Sequence, residues 1–484
     1  MMKKMNMISA VLAAILAVTM TGCGMNRNIG TTADNPAVMS SDSVKKEESA
    51  ENTEAASVKQ EVSDTVEAVE LSQKAGFAEQ DSELFTKRDL AQTADLSDAQ
   101  RITVSDGQTI NITDEGVYVI SGTAKNCTIR INADDAAKIQ LVLNGVSITN
   151  DDFPAIYVIS ADKVFITAAD SENTLTVSGQ FKADGDTNTD AVIFSKDDLV
   201  LNGTGTLNIT SAYGNGVTCK DDLKITGGTY NVKTALDSFE ANDSISVYDG
   251  TFNIKTDKDG FRCENDAAEG TITVLGGTYS VTAGSDGMQA SALLQIDGGT
   301  MDITASEGLE ATFVRINGGD ITISASDDGI NASASTNAYE TAVEINGGNL
   351  NVKVGQGDTD AIDANGSIYV NGGTVNITAQ MSSFDYDVKA EFNGGTIIIN
   401  GEEVSEIPQS MMGGGMHGGM HGGMHGGMFG GMNGESDAMQ NGMNGGFGGR
   451  GGRRGMQEST GSGTGDMTDG MTGGSGGREN HTVI

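Results

Sequence analysis

Apolar and polar residues alternate with a period of two through the middle of the chain, inside a phrase that returns about every 22 residues. One copy, LKITGGTYNV, begins at Leu223 and ends at Val232. The alternation places Leu223, Ile225, Tyr230 and Val232 on one side, which predicts two short strands joined by a Gly-Gly turn. Weaker copies begin at positions 141 and 199, and the second glycine of the clear copies stands at positions 228, 250, 277, 299, 319, 348, 373 and 395.

A third short strand is predicted between successive copies of the phrase. Three short strands and a sharp glycine turn in each repeat of about 22 residues predict an all-β fold, a single-stranded parallel β-helix. A β-propeller is the rival architecture, but its blades need about 40 to 50 residues and usually carry aromatic markers. The third strands are expected at residues 217–219, 239–241, 261–263, 288–290, 309–311, 330–332 and 362–364.

The cysteines provide a check on this register. Cys219 and Cys263 occupy the same inward position two coils apart, which at about 4.8 Å per coil is beyond the reach of a disulfide. We therefore expect both to be buried free thiols, and Cys127 has no evident partner.

The two ends of the chain differ in composition from the repeats. Residues 1–23 resemble a lipoprotein-type signal peptide, with Lys3 and Lys4 before a short apolar run and a lipobox-like MTGCG sequence around Cys23. We expect Cys23 to be lipidated and the protein to lie on the extracellular face of a bacterial cell membrane, with an ordinary cleaved signal as the alternative. Residues 24–95 are interpreted as a disordered tether, 96–400 as the β-helix, and 401–484 as a disordered Gly- and Met-rich tail.

Charge narrows the possible partners and chemistry. The chain has 29 Lys and Arg against 67 Asp and Glu, a formal charge of −38, which argues against nucleic-acid binding. All four histidines lie in the predicted tail, so the β-helix is expected to have neither a His-based zinc site nor a Ser/His/Asp triad. We expect a monomer.

Acidic residues recur at one place in the coil, just before the third strand. Stacking would set them in a column about 5 Å apart, where two bare carboxylates repel by about 1 kcal/mol in water and about 3 kcal/mol at an effective dielectric near 20. Carboxylates and turn carbonyls suit a hard cation such as Ca²⁺. The alternative is that Asp-Gly and Asn-Gly are only turn residues. The predicted metal residues are Asp237, Glu240, Asp259, Asp286, Glu307, Glu310, Asp328, Asp360 and Asp363.

Three other features bear on ligand binding. Arg262 is expected beside these carboxylates as a local counter-charge. Tyr157, Tyr248 and Tyr369 are expected to face outward, where a tyrosine ring can stack on a sugar. A further acidic column is expected in the following turn, at positions 198, 222, 243 and 266.

Together the lipobox-like start, the Gly-Gly-Thr coils, the turns at residues 285–288 and 326–330 and the Gly/Met-rich tail resemble a family of clostridial carbohydrate-binding domain-containing proteins. The resemblance covers about residues 90–400. It implies a right-handed parallel β-helix similar to polysaccharide lyases, bound calcium, and binding of cellulose or acidic plant polysaccharide without established catalysis. Carried over to this chain, it implies calcium binding by Asp237, Asp259, Asp286, Glu307, Asp328 and Asp360.

The sequence thus predicts a surface-anchored, calcium-binding protein that binds a plant cell-wall-type polysaccharide and contacts the membrane only through its lipid. Two alternatives remain open. In a calcium-dependent polysaccharide lyase, Lys220, Lys258 or Arg262 would act as the base. In a structural adhesin or spacer, calcium would only hold the coils together.

Overall fold

The computed structural model describes residues 84–265, 267–356 and 359–408. Its regular structure consists of 36 strands, and no helix occurs among these described residues. The strands form a 24-stranded sheet and a 12-stranded sheet. Successive coils pair in parallel, and the smaller sheet takes one strand from each of about twelve coils. The predicted parallel β-helix is therefore confirmed.

The coil has three outer faces. We call the surface of the first strands the asparagine face. Its strands are β1 Gln100–Thr103, β3 Gly116–Lys125, β5 Lys138–Asn150, β7 Lys163–Ala168, β10 Asp198–Gly203, β13 Asp222–Ile225, β16 Ser244–Val247, β19 Thr271–Val274, β22 Leu293–Ile296, β25 Phe313–Ile316, β28 Ala342–Ile345, β31 Ser367–Val370 and β34 Lys389–Phe392.

The second strands form the threonine face, onto which β3 and β5 continue. Its strands are β8 Glu172–Val177, β11 Thr206–Ser211, β14 Thr229–Thr234, β17 Thr251–Thr256, β20 Thr278–Thr282, β23 Thr300–Ala305, β26 Asp320–Ala325, β29 Asn349–Val354, β32 Thr374–Thr378, β35 Thr396–Ile399 and β36 Glu402–Val404.

The 12-stranded sheet forms the third surface, which we call the acidic face. The predicted third strands all lie in it. Its strands are β2 Thr109–Ile112, β4 Thr128–Asn132, β6 Ile156–Ser160, β9 Ala191–Ser195, β12 Asn215–Cys219, β15 Phe239–Ala241, β18 Phe261–Cys263, β21 Asp286–Ala290, β24 Glu307–Ala311, β27 Ile330–Ala332, β30 Asp360–Ala364 and β33 Ser382–Tyr386.

Parallel pairing in register stacks like residues inside the solenoid. Leu223 pairs with Ile245, which pairs with Ile272 in the next coil. Farther along, the ring of Phe252 stacks between those of Tyr230 and Tyr279, with centroid separations of 5.4 and 4.7 Å. One continuous apolar core therefore runs the length of the coils, as the alternation of apolar residues predicts.

The turn requires the glycine that ends it in each copy, whether that glycine follows another glycine or, at Gly250, an aspartate. All eight adopt positive φ, including Gly299 at +103°. A Cβ at Gly299 would lie 3.0 Å from the Gly277 carbonyl oxygen of the preceding coil. The turn therefore needs glycine both for its backbone angles and for the close approach of the next coil.

The cysteines agree with the register. Cys219 pairs with Ala241, which pairs with Cys263, so the two thiols are two coils apart. Cys127, Cys219 and Cys263 are buried and free. The prediction of buried free thiols is confirmed for Cys219 and Cys263.

The N-terminal boundary predicted at residue 95 is too late. Residues 84–92, which we call the strap, lie on the asparagine face: Phe85 and Asp89 are buried, and the Arg88 guanidinium lies 4.4 Å from the centre of the Phe165 ring. The strap ends a longer stretch, from about residue 25, that is rich in Ser, Glu, Ala, Thr and Lys and has few large apolar residues, which is why its composition suggested disorder. Its polar side chains dock instead, since the Gln92 amide donates to the Thr226 carbonyl over 2.9 Å and accepts from Gly203 N over 2.9 Å.

The boundary predicted at residue 400 is slightly early. Strand β36 pairs antiparallel with β35 and so covers the sheet edge of the last coil. Residues 1–83 and 409–484 lie outside the described residues, and with them the predicted signal peptide, most of the tether and nearly all of the tail. Within the described part of the chain, no helix is long and apolar enough to cross a membrane.

Replacing Gly299 with alanine should destabilise the β-helix, because it adds backbone strain of roughly 1 to 3 kcal/mol and a clash with the preceding coil. Gly107→Ala is the matched control: Gly107 also has positive φ, at +69°, but a Cβ added there would meet no neighbouring atom within 4 Å. Urea unfolding should show a larger loss for Gly299→Ala than for Gly107→Ala. Equal losses would contradict the close-approach argument.

Candidate functional site on the acidic face

Two columns of polar side chains run along the acidic face. The first, which we call the turn column, lies where each third strand begins. Its side-chain oxygens accept backbone N–H groups from the next coil: Asp237 N donates to Asn215, Asp259 N to Asp237, and Asp286 N to Asp259, over 2.9 to 3.0 Å. Asp360 N likewise donates to Asp328 over 2.7 Å. These carboxylates therefore take part in the turns, as the alternative interpretation of Asp-Gly and Asn-Gly as turn residues expects.

Small residues follow the turn column because the coils meet closely there. A Cβ at Gly260 would lie 2.5 Å from the Gly287 carbonyl oxygen, and one at Gly287 would lie 2.5 Å from the Gly308 carbonyl oxygen. The recurring acidic-then-small pair thus reports a close backbone contact between coils.

The second, or strand, column lies on the outward side of the third strands. Glu240 pairs with Arg262, Arg262 with Gln289, and Gln289 with Glu310. The column begins at Thr218 and continues through Asn331 and Asp363 to Asp385. The predicted positions of Glu240, Arg262, Glu310 and Asp363 on one outward strip agree with this register.

Three carboxylates from the two columns converge. One oxygen each of Asp286, Glu307 and Glu310 lies within 4.8 Å of the others, and we call this group the carboxylate cluster. Amides orient it: Asn331 Nδ2 donates to Glu307 over 3.0 Å, and Gln289 Nε2 donates to Glu310 over 2.6 Å. All three carboxylates were predicted as metal residues, and the cluster offers only oxygen, the donor that Ca²⁺ prefers.

The cluster holds its negative charge at an electrostatic cost. Burial, followed by the charges of Asp259, Glu310 and Glu307, raises the pKa of Asp286 to about 8. Burial is also the main reason that the pKa of Glu307 rises to about 7, despite the opposing hydrogen bond from Asn331. Without a cation, these groups keep protons that ordinary carboxyl groups lose near pH 4.

A groove of about 1000 Å³ lies next to the cluster on the same face. It is lined by carboxylates, Asp237 and Glu240 among them, and by the cations Lys220, Lys258 and Arg262. Lys220 Nζ lies 3.3 Å from Glu240. The groove thus combines hydrogen-bond donors and acceptors suited to a polar ligand.

Arg262 is the best-anchored cation of the groove. It pairs with Asp259 over 3.6 Å and with Glu264. Burial lowers its pKa, but the hydrogen bond and charge of Glu264, with the charges of Asp237 and Asp259, outweigh burial and raise the pKa overall. Arg262 therefore remains a protonated donor, as expected of a counter-charge.

The other predicted metal residues lie on either side of the cluster. Asp237 and Glu240 line the groove, and Asp259 pairs with its Arg262. Burial and neighbouring charge raise the pKa of Asp237 to about 6. Farther along the solenoid, burial, followed by the charges of Asp328 and Asp360, raises the pKa of Asp363 to about 7. The cluster unites only Asp286, Glu307 and Glu310 of the nine predicted residues.

The sequence predicted two of the three residues in a second acidic group. Asp198, Asp221 and Asp222 each place a carboxylate oxygen within 4.8 Å of the others, in the turn after the acidic face. The sequence pointed to Asp198 and Asp222, and the signal for Asp221 was the doubled aspartate of that turn. Asp266, from the same predicted column, lies outside the described residues.

The expectation that Tyr157 can stack on a sugar is wrong. Its ring is 1% exposed and packs edge-on against Phe153 and Phe194, with centroid separations of 5.5 and 5.9 Å. The hydroxyl group donates to Asp184 over 3.0 Å. Tyr157 does point away from the main core, but a long insertion between coils covers it.

Tyr248 and Tyr369 lie on a different face from the carboxylates. Both belong to the asparagine face, where Tyr248 is 39% exposed beside Phe85 of the strap, and Tyr369 is half-buried with Lys389 Nζ 4.9 Å from its ring centre. Their role in binding stays a prediction. Cys23, the predicted lipidation site, lies outside the described residues.

Metal-free protein should lose stability as pH rises from about 5 to about 8. The folded-state pKa values of Asp286 and Glu307 lie above their unfolded values, so the folded state binds more protons in this range and deprotonation favours unfolding. Melting temperatures measured in chelator should be higher at the lower pH, and Glu307→Gln should reduce the difference. A melting temperature that rises across this range would contradict the assignment.

Comparison with known proteins identifies the family. A family model described as carbohydrate-binding domain-containing protein matches residues 106–358 and 312–445. A carbohydrate-binding domain-containing protein of Acetivibrio thermocellus is 36% identical over 127 residues, which are 26% of this chain and 44% of that relative. The match thus spans less than half of the relative's length.

Among solved structures, a polysaccharide lyase-like protein from C. thermocellum, in a gadolinium derivative, aligns with 64% of this chain and 97% of its own. The TM-score is 0.31 and the sequence identity is 22%. Because the family model covers well over half of the chain, the protein belongs to the family of carbohydrate-binding domain-containing proteins.

Proposed function

We propose that the protein is a calcium-binding, non-catalytic protein that binds a plant cell-wall-type polysaccharide, cellulose or an acidic glycan, and that an acidic glycan would lie on its acidic face. Membership of the family supports carbohydrate binding. The observation that carries the calcium part is the carboxylate cluster, three converging carboxylates beside a groove lined by both charges. A bound cation would stabilise the charged carboxylates against the burial and the mutual repulsion that raise the pKa of Asp286 and Glu307.

The proposed ion is held by Asp286, Glu307 and Glu310. Calcium takes about six to eight oxygen ligands, so three carboxylates leave part of its shell for carbonyls, water or a sugar. The remaining predicted metal residues, Asp237, Glu240, Asp259, Asp328, Asp360 and Asp363, are proposed to hold further ions along the two columns.

The adjacent groove is the proposed seat of an acidic sugar. Arg262 presents a guanidinium whose partners hold it in place, and Lys220 and Lys258 line the same space. A guanidinium has five N–H donors, so those that Asp259 and Glu264 leave would donate to a sugar carboxylate and select a uronate over a neutral ring.

We further propose that a lipid on Cys23 anchors a monomeric protein to the extracellular face of the cell membrane. The lipobox-like sequence around Cys23 supports the anchor. The folded domain would then present its long acidic face to polysaccharide outside the cell.

At Arg262 and Lys220, two of the three candidate bases, the contacts in the groove favour binding over proton abstraction. A lyase base must be able to lose its proton, whereas the carboxylates around Arg262 raise its pKa, and Lys220 pairs with Glu240. A structural spacer would also bind calcium but would bind no glycan. The calcium test and the glycan test below therefore separate it from the proposal.

The double variant Glu307→Gln/Glu310→Gln should weaken calcium binding at least tenfold, because it removes two of the three charged ligands. Elemental analysis and melting with and without chelator provide the measurement. Glu402→Gln, an exposed change outside the site, is the control and should keep the calcium-dependent rise in melting temperature. No bound calcium in the unaltered protein would refute the metal site.

Arg262→Gln should weaken binding of polygalacturonate in calcium at least tenfold, since it removes a charge-assisted donor from the groove. Calorimetric titration measures the affinity, with Arg101→Gln, an exposed change on the first strand, as the control. Calcium-stabilised protein that binds no polysaccharide would favour the spacer, and ultraviolet absorbance from unsaturated products would establish the lyase.

A further inference from the structure

A largely polar column on the asparagine face continues through ten coils. It lies at the end of each first strand, where each residue's backbone N–H donates to the preceding coil, as Asn346 N does to Ile316 O over 2.7 Å. We call this column the ladder track. Its members are Thr167, Asn202, Thr226, Tyr248, Leu275, Asp297, Asn317, Asn346, Asn371 and Asn393.

The strap occupies the first part of the track. The Asp89 carbonyl accepts from Thr226 Oγ1 over 2.5 Å and from Asn202 Nδ2 over 3.4 Å, and Phe85 packs edge-on against Tyr248. The chain's own carbonyl, amide and aromatic groups thus occupy hydrogen-bonding and stacking positions on successive coils. This part of the track therefore bonds to polar groups that follow one another along successive coils.

The later part of the track carries the same kind of groups and is open. Asn346 Nδ2 donates to Asn317, Asn371 Nδ2 to Asn346, and Asn393 Nδ2 to Asn371, each over 2.8 Å. Asn346, Asn371 and Asn393 are exposed. An asparagine amide has two N–H donors and two acceptor lone pairs. The ladder uses one of each, so every interior member keeps one N–H donor and one lone pair for a ligand.

The charges beside the open part are paired, and the Asp297 carboxylate at its start accepts from the amides of Asn317 and Gln295. Arg315 Nε pairs with Glu344 over 2.7 Å, and Lys389 Nζ with Glu391 over 2.7 Å. The ring of Tyr369 lies in the same outer row as Glu344 and Glu391. Paired charges, outward amides and a half-buried tyrosine suit a neutral, hydroxyl-rich ligand, whereas the acidic face suits a cation.

We propose that the open part of the ladder track, from Asp297 to Asn393, binds a straight, neutral glycan chain without metal. The coil repeat of about 4.8 Å is similar to the length of one pyranose unit in an extended chain, so successive sugars would meet successive amides. The occupied part of the column supplies the independent observation, since the strap already bonds to the same column. This second site lies on a different face from the carboxylate cluster and does not depend on it.

The test is titration of the full chain with cellohexaose in chelator, where any calcium-dependent binding is absent. Asn371→Ala should weaken binding at least tenfold. The matched control is Asn253→Ala, which removes an exposed amide from an equivalent ladder on the threonine face, where Asn253 donates to Asn231 over 2.9 Å. Melting curves of both variants establish that the coils remain folded.

Three further results decide the proposal. Glu307→Gln/Glu310→Gln should bind cellohexaose as the unaltered protein does, which separates this site from the calcium site. Maltohexaose, a curved chain of the same sugar, should bind at least tenfold more weakly. No binding of cellohexaose in chelator, or equal losses for Asn371→Ala and Asn253→Ala, would overturn the proposal.

Discussion

The hydrogen bonding of each coil to the next in parallel register is the constraint on which the rest of the structure depends. It sets every side chain about 4.8 Å from its counterparts above and below, so any residue type that recurs in the sequence becomes a column in space. Apolar columns gain from this arrangement, as the stacked rings of Tyr230, Phe252 and Tyr279 illustrate. Charged columns are destabilised by it, because like charges face one another at every step.

Asparagine resolves that conflict, because an amide both donates and accepts and so can bond to its own kind. Two of the ladders end on a carboxylate in an earlier coil: Asn317 Nδ2 donates to Asp297 over 2.6 Å, and Asn208 Nδ2 donates to Glu172 over 3.0 Å. Each amide in such a row donates toward the earlier coil, so a carboxylate at that end accepts without needing to donate. On the acidic face, backbone N–H groups donate to Asp237, Asp259 and Asp328 instead, which satisfies one oxygen of each of these carboxylates but leaves its charge.

The sequence could predict the structural features that recur in every coil. Period-two alternation placed Leu223 and Val232 inward, the glycine pairs located the turns, and the offset of three residues placed Glu310 beside Glu307. Features outside the repeat escaped it. Tyr157 was expected at the surface because nothing in its local pattern reveals the insertion that covers it, and the strap was assigned to the tether because Asp89 and Gln92 dock through polar contacts. Periodicity reports local structure, whereas the contacts of the strap join residues more than a hundred positions apart.

The composition of the acidic face argues for a role beyond forming turns. Asn215 accepts the next coil's N–H as Asp237 and Asp259 do, so asparagine could have filled the whole turn column without charge. Instead, Asp286 and Glu307 are carboxylates with strongly raised pKa values, and Glu310 adds a third from the neighbouring column. Repulsion at these positions contributes nothing to the stability of the bare fold. Under the two proposals the faces would serve different ligands: the amide ladder of the asparagine face would bind neutral hydroxyl groups, and the carboxylates of the acidic face would bind a cation together with the sugar that the cation would hold.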